Sequence, residues 1–337
     1  MTTPTRSVFI VWKEYQRRVE VMAPYLGAEC FYFHYSWEER SKFFKALSYI
    51  LKTFNTLKCL LENKPSIILV QFPPAPPLYA VALYAWLSGA KYVSDCHLGV
   101  TNARWLGWPL VKKLLAGGVV IVHNEHLVEQ TEAELQLKAF VLRDGIVAKQ
   151  SHEVGSNALL KDLGLYPNTY VIFPCSFSAD EPIQEMIDAA RLLPEIKFVM
   201  TWYVEKLAKQ IRDSLPPNVT LTGFLKTDDF NCLFANAGAA LVLTKYENVQ
   251  LSGMQEAMAF GIPAVVTDLR TTRFLYKNYP VYVDNTVASI MQGIKLALQH
   301  RINLEQQMNL LRIESEKEFI DQMATLKSAL GMREEKS

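Results

Sequence analysis

The sequence predicts an α/β protein with two parallel-sheet domains, and three observations predict it. Short, continuously apolar, β-branched runs recur along the 337 residues. Segments of helical length, with apolar residues at three- and four-residue spacing, separate them. A polar stretch breaks the alternation near the middle. Continuous apolar strands alternating with helices belong to parallel sheets buried on both faces. The strand candidates are residues 8–12, 67–71, 92–95, 119–123, 139–142, 170–174, 197–201, 219–222, 239–244, 264–267 and 281–283. Helical patterns between them include 183–193 and 253–260. Eleven strands are generous for one doubly wound sheet, so they divide into two.

The joint falls in residues 149–168, where Ser151, Gly155, Ser156, Asn157 and Gly164 gather. The expected division is 1–148, 149–302 and a charged amphipathic helical segment over 303–337. Ligands of open parallel sheets bind beyond the carboxyl ends of the strands. Two such domains facing each other would place the site in the cleft between them.

Composition bounds the function. Half of the residues are hydrophobic and a fifth are charged, as in a packed soluble enzyme. A balance of 35 basic against 34 acidic residues excludes bulk capture of nucleic acid. Residues 1–150 carry 17 basic and 12 acidic side chains, so this half suits an anionic surface or acceptor. The five cysteines, Cys30, Cys59, Cys96, Cys175 and Cys232, are scattered and form no C-x-x-C pair, which suits reduced thiols in a cytoplasmic protein. The N-terminal residues lack the build of a signal peptide, and no apolar run is long enough to span a bilayer.

Several nucleotide sites are excluded. No G-x-G-x-x-G follows a strand and no G-x-x-x-x-G-K-[ST] loop exists. No D-x-D pair occurs, which counts against a metal-diphosphate site of that kind. His123 and His126 lack the further ligands that a metal site needs and read as a polar loop after a strand.

The most informative stretch is 219–268: strand, polar loop, then a helix that opens near Ser252 or Gly253 and stops at Gly261-Ile262-Pro263. A helix start at the carboxyl end of a parallel strand presents backbone N–H groups to an anion. Glu247 stands in the loop before it and Glu256 about one turn inside. Glu256 alone would read as an acid complementing the helix dipole. The combination with Glu247, the loop and the G-x-P stop points instead to a ligand, since a carboxylate there can accept two ribose hydroxyls.

The run Glu256-Ala257-Met258-Ala259-Phe260-Gly261-Ile262-Pro263-Ala264-Val265-Val266 resembles the donor-binding region of glycosyltransferase family 4 and its relatives. The resemblance implies a GT-B fold, two Rossmann-like domains around a nucleotide-sugar site. It implies that Glu256 holds the ribose. Glu247, with the loop and helix-start amides of Asn248, Gln250, Leu251, Ser252 and Gly253, would hold the transferred sugar and the phosphates. Eight residues separate the two glutamates, one more than is usual in that family, and the family's Gly-Phe-Gly is Asn248-Val249-Gln250 here.

A second match is Ser176-Phe177-Ser178-Ala179-Asp180-Glu181, after the strand at 170–174. It resembles, with one residue rather than three between Ser178 and Asp180, the Ser-x-Ser-x-x-x-Asp-Glu segment of the β-mannosyltransferases that act on dolichol-linked chitobiose, and of bacterial exopolysaccharide enzymes. Ser176 and Ser178 become donor-site candidates by this resemblance. The Arg and Lys that many family members place here are absent, and Lys206 is the candidate replacement.

In the first half, Gln71-Phe72-Pro73-Pro74, an apolar helix, Gly89-Ala90-Lys91, a strand and Asp95-Cys96-His97 follow the order seen in the same enzymes. Asp95 and His97 lie at the carboxyl end of a strand, and histidine titrates near neutrality, so this pair is the catalytic candidate. Residues 41–62 form a basic amphipathic helix through Lys42 and Lys45, with Lys52 and Lys58 on its polar side. Arg104, Trp105, Trp108, Lys112 and Lys113 add bases and interfacial aromatics. Both segments suit an anionic membrane surface and a lipid-linked acceptor.

The expected function is transfer of a hexose from a UDP- or GDP-sugar to a glycan, on a polyprenyl-diphosphate carrier at the cytoplasmic face of a membrane. No metal or other cofactor is expected. A sugar-nucleotide epimerase on the same plan and a non-catalytic, partner-dependent transferase-like subunit are the alternatives.

Overall fold

The structure, a computed structural model, describes residues 6–96, 103–136, 138–146, 158–201, 203–204, 207–247 and 249–332. Twelve strands among these residues form two six-stranded sheets, and every pairing is parallel. The first sheet contains β1 Ser7–Val11, β2 Ala28–Tyr32, β3 Ile67–Phe72, β4 Lys91–Cys96, β5 Val119–Val122 and β6 Ala139–Val141, in the order β2-β1-β3-β4-β5-β6. The second contains β7 Tyr170–Pro174, β8 Lys197–Thr201, β9 Val219–Leu221, β10 Ala239–Val242, β11 Ala264–Thr267 and β12 Val281–Val283, in the order β12-β11-β10-β7-β8-β9. Helices cover both faces of each sheet, which is why the central strands are buried end to end. The expected α/β class with two parallel sheets is what the chain adopts.

All eleven expected strands form; β2 is the addition. Its residues Ala28–Tyr32 are half-exposed, with Glu29 facing solvent at the edge of the sheet, so they show no continuous apolar run. Exposed Glu29 accepts from Arg6 at 3.0 Å, a charged edge that blunts pairing with another chain.

Each sheet changes direction once. In the first, the strand order reverses between β1 and β3; in the second, between β7 and β10. Such reversals open a crevice beyond the carboxyl ends of the two strands, where helices leave on opposite faces.

One compact unit comprises the residues up to Gly145 together with those from Lys317 onward, and the other is Ile146–Glu316. The joint expected after residue 148 thus lies three residues earlier in this division, and the helix Arg301–Leu330 serves both units. Its Met308 and Leu311 enter the second core, beside Met258 and Ile262. Its Phe319, Met323, Leu326 and Leu330 enter the first core, beside Phe9, Met22 and Leu69.

The helix Lys42–Asn63 departs from expectation at Lys52. Ser41 caps it, accepting from Phe44 N at 3.3 Å. Its inward face carries Ser48, Lys52, Thr56, Cys59 and Leu60. Lys52, expected on the polar, solvent side, is 1% exposed; its Nζ lies 2.5 Å from the Glu38 carboxylate and 5.8 Å from the centre of the Trp12 ring. Thr56 accepts from Trp12 Nε1 at 3.0 Å. The apolar stripe through Phe43, Ile50, Phe54 and Leu61 faces outward. Apolar periodicity defines a stripe but not which side of the helix meets the sheet. Here the buried Glu38 carboxylate, which cannot stay unpaired, draws the lysine face inward.

Candidate functional site

The second unit's crevice is built by the loops that follow β7, β10 and β11. After β10 the chain turns through Thr244 and Glu247 into the helix Ser252–Phe260. Leu251, with φ −89° and ψ 115°, occupies the N-cap position, and no side chain among the described residues caps the first turn. Gly253 lets this end of the helix sit down on the sheet. A Cβ there would meet Pro174 Cγ at 3.0 Å and the Val242 methyls at 3.2 Å, so the helix start lies against the ends of both β7 and β10. The two strands are neighbours and flank the reversal of strand order. Gly261, at φ +69°, ends the helix in the left-handed conformation and turns the chain into β11.

Sequence reasoning places Glu256 near the helix start, and the structure puts it beyond the first turn, 8% exposed. A first-turn acid in water would need only the helix dipole to explain it; a buried one needs a hydrogen-bonding environment. Gln255 beside it is 6% exposed, with an Oε1 that no group among the described residues satisfies. Gln250 Oε1, in the loop before the helix, is likewise buried and unsatisfied. Ser252 is exposed at the mouth of the helix, and Leu251 packs into the core beneath. Gln250, Leu251, Ser252 and Gly253 therefore gather at one end of one helix, with Glu256 about one turn further in. Asn248 and Lys206 lie outside the described residues.

Glu247 is held elsewhere. Its carboxylate accepts from Arg270 N at 2.9 Å, Thr271 N at 3.0 Å and Thr271 Oγ1 at 2.7 Å, which makes it the cap of the helix Arg270–Tyr276. Partial burial alone would raise its pKa, but the hydrogen bonds from Thr271 and Arg270 outweigh that and hold it below the ordinary carboxylate value. The sequence signal that could have exposed this role is Arg270-Thr271-Thr272, a helix start with no Asp, Asn or Ser at its N-cap position, Leu269.

The loop after β7 closes on an acid of its own. Glu181 accepts from Ser176 N at 2.9 and 3.0 Å, from Ser178 N at 3.0 Å and from Ser176 Oγ at 3.2 Å. Phe177 takes a left-handed φ of 56° to aim these amides inward. Two convergent amides form an anion-binding concavity, and here the Glu181 carboxylate fills it. Burial raises the Glu181 carboxyl above its ordinary value, and the hydrogen bonds from Ser176 and Ser178 offset only part of that. Ser176 and Ser178, expected at the donor, thus stand at the crevice with their amides engaged. Ser178 Oγ donates to Asp180.

Asp180 then ties this loop to the next. It accepts from Thr244 Oγ1 at 3.2 Å, and its carbonyl accepts from Lys245 N at 2.6 Å. Thr244 N donates to Thr267 Oγ1 at 3.0 Å, Thr267 donates to Asn285 Oδ1 at 2.7 Å, and Asn285 Nδ2 donates to Thr244 O at 2.9 Å. Thr244, Thr267 and Asn285 escape a motif reading because they come from the ends of three different strands and no fixed spacing links them. Together they fix the rim around the helix start.

In the first unit, Asp95 is the last residue but one of β4 and is fully buried. Both its oxygens accept from Arg18 Nε at 3.1 Å. Arg18 also donates to Leu142 O at 2.7 Å and pairs with Asp144 at 2.5 Å. Burial alone would lower the guanidinium pKa, but Asp95 and Asp144 outweigh it and raise it. An acid sealed in this way has no face open to an acceptor hydroxyl, and its geometry is that of an anchor for the helix Arg17–Tyr25. His97 lies outside the described residues.

The remaining candidates are also in the first unit. Lys42 is exposed at the start of its helix, while Lys45 bonds Glu39 at 2.7 Å. Arg104 sits 5.6 Å over the Trp105 ring, and Trp105 and Trp108 pack together at 5.4 Å. Lys112 pairs with Glu134 at 2.5 Å; Lys113 is exposed. Among the described residues, no group of three or more His, Cys, Asp and Glu converges as metal ligands, and no helix is long and apolar enough to cross a membrane.

No family model matches the chain, and no curated protein matches it. Solved structures do. HepE from Anabaena in complex with UDP superposes with a TM-score of 0.70 at 14% identity, over 97% of this chain and 99% of that one. Sucrose-phosphate synthase from Thermosynechococcus elongatus gives 0.68 at 12% identity, over 97% and 99%. UDP-GlcNAc 2-epimerase from Methanocaldococcus jannaschii gives 0.61 at 12% identity, over 95% and 99%. At such identities the likeness is one of fold: the chain has the two Rossmann-like domains of the GT-B class.

Glu247→Ala should destabilise the second unit by about 0.5–2 kcal/mol, as loss of a helix cap does. Because its folded pKa is lowered, the contribution is present above the ordinary carboxylate value and disappears as pH falls through the folded one. Urea unfolding at neutral and acidic pH checks this: the gap between parent and variant should narrow at low pH. A gap of equal size at both would show that the cap does not act through its charge.

Proposed function

We propose that the protein is a glycosyltransferase that moves a hexose from a UDP- or GDP-sugar to a glycan, and that the acceptor is carried on a lipid. The observation that carries the donor reading is the Ser252–Phe260 helix. Its start, with no side-chain cap among the described residues, lies at the reversal of strand order, and a buried carboxylate, Glu256, stands about one turn inside it. Backbone N–H groups at a helix start favour a diphosphate, and an adjacent buried acid favours vicinal ribose hydroxyls. UDP is the first nucleotide to try, since HepE, similar in fold, has been crystallised with UDP-glucose.

In this reading the acceptor oxygen attacks C1 of the donor sugar while the bond from C1 to the diphosphate breaks. The charge left on the diphosphate falls on the helix-start amides, which need no reorganisation at that moment. The proton of the acceptor hydroxyl passes to a base, and we assign that role to His97 rather than to Asp95, whose carboxylate is closed by Arg18. Transfer then needs positioning and charge stabilisation more than covalent chemistry. Family-4-like and β-mannosyltransferase-like motifs support the same assignment. The likeness to an epimerase supports a second reading, in which UDP-GlcNAc is converted with no acceptor present.

Glu256→Gln should weaken UDP binding by about 1–3 kcal/mol, the scale of a lost charge-assisted hydrogen bond, with the unfolding transition unchanged. Calorimetry reads this directly, and parent-like affinity would remove Glu256 from the ribose.

Transfer should proceed in EDTA, because the chain offers no D-x-D pair to carry a metal diphosphate. Activity lost in EDTA and restored by Mg²⁺ or Mn²⁺ would overturn that assignment.

A further inference from the structure

The first sheet also reverses its strand order, between β1 and β3, and a crevice opens there beyond the carboxyl ends of both strands. Gln71, next to last in β3, is 4% exposed, and its Nε2 has no hydrogen-bond partner among the described residues. A buried N–H without an acceptor is costly, and one that persists calls for something outside the chain to complete it. Gln71 and Asp95 are register partners, so their side chains leave the sheet on the same face. That face belongs to the helix Arg17–Tyr25. Arg18, in its first turn, reaches Asp95, and Val19 and Met22 share a core with Leu69, two residues before Gln71. The Gln71 amide is therefore aimed at the side of the crevice where this helix begins.

The helix start is itself poor in acceptors. Gln16 holds the N-cap position without a side-chain cap, and Lys13 Nζ stands 3.3 Å from its Oε1. Backbone N–H groups, an ammonium and a buried amide N–H thus face one place. The acids nearby are engaged: Arg18 takes Asp95 and Asp144, and Glu14 lies out in solvent, 4.0 Å from His34. Loss of water outweighs Asp95 at Lys13, and outweighs Tyr15 and Asp144 at Arg17, so both cations are held below their ordinary pKa. Cations in that condition, beside an unmade N–H, favour an acceptor that carries negative charge.

We propose that the start of the helix Arg17–Tyr25 is an oxyanion site, where Gln71 Nε2 and Lys13 Nζ donate to a carboxylate or a phosphate and Arg17 flanks it. All of these residues belong to the first unit, so the site does not rest on the donor reading of the second. Replacing Gln71 then deprives the ligand of a hydrogen bond and the fold of none.

The test is amide hydrogen exchange at Arg17 and Arg18 in the full chain, titrated with inorganic phosphate, glucuronate or glucose. Phosphate or glucuronate should slow exchange there to a saturating limit, and glucose at the same concentrations should not. The anion that binds more tightly identifies the source, a phosphate group or an acidic sugar. Gln71→Leu should weaken anion binding by about tenfold while its unfolding transition stays at or above the parent's, because an unpaired buried amide is removed. Lys13→Glu, at an exposed position, should weaken it by about fivefold or more with the transition unchanged. That variant carries the test if Gln71→Leu fails to fold. Equal protection by glucose, protection by neither anion, or parent-like affinity in Lys13→Glu overturns the proposal. So does a folded Gln71→Leu chain with parent-like affinity. Failure of the parent to bind UDP sinks the donor reading and leaves these exchange rates as the measure of this site.

Discussion

The candidate donor site depends on one close approach. At Gly253 the helix Ser252–Phe260 comes so near the ends of β7 and β10 that a methyl group would stand 3.0 Å from Pro174 and 3.2 Å from Val242. That contact places the helix start at the point where the second sheet reverses direction. It also carries Glu256 down into the packed interior rather than out into solvent. A Cβ at this position would require Pro174 and Val242 to give way by a few tenths of an ångström. In the rim around it, Thr244, Thr267 and Asn285 from the ends of three strands close a ring of hydrogen bonds and Asp180 joins it through Thr244, so the loops are held as one polar frame.

The chain satisfies several of its acids internally. Glu181 is taken by the amides of Ser176 and Ser178, Glu247 by the start of the next helix, and Asp95 by Arg18. Asp95 and Glu247 read from sequence as a catalyst and a ligand, and in the structure all three carboxylates are satisfied internally. Glu256 sits on the wall of the Ser252–Phe260 helix, 8% exposed.

What was legible in the sequence followed from period and composition. Eleven strands, the helix from Ser252 to the glycine stop, and the two-sheet plan all come from apolar runs and their spacing. β2 was not legible, because an edge strand with Glu29 in its middle shows no apolar run. The orientation of the Lys42–Asn63 helix was not legible either: its stripe is the same whichever side faces in, and only the buried Glu38 on a neighbouring turn decides. Glu247 was misplaced for a related reason. A motif gives the order of residues along the chain, but its hydrogen-bond partner stands 24 positions away.

The central claim is that the start of the Ser252–Phe260 helix receives an anionic nucleotide. Amide hydrogen exchange of the full chain with and without UDP tests it most directly, since helix-start amides that gain phosphate acceptors exchange more slowly. The account predicts added protection at Ser252 and Gly253, with the first unit's sheet unchanged. Equal exchange at those amides under saturating UDP, or protection confined to residues before Gly145, would contradict it.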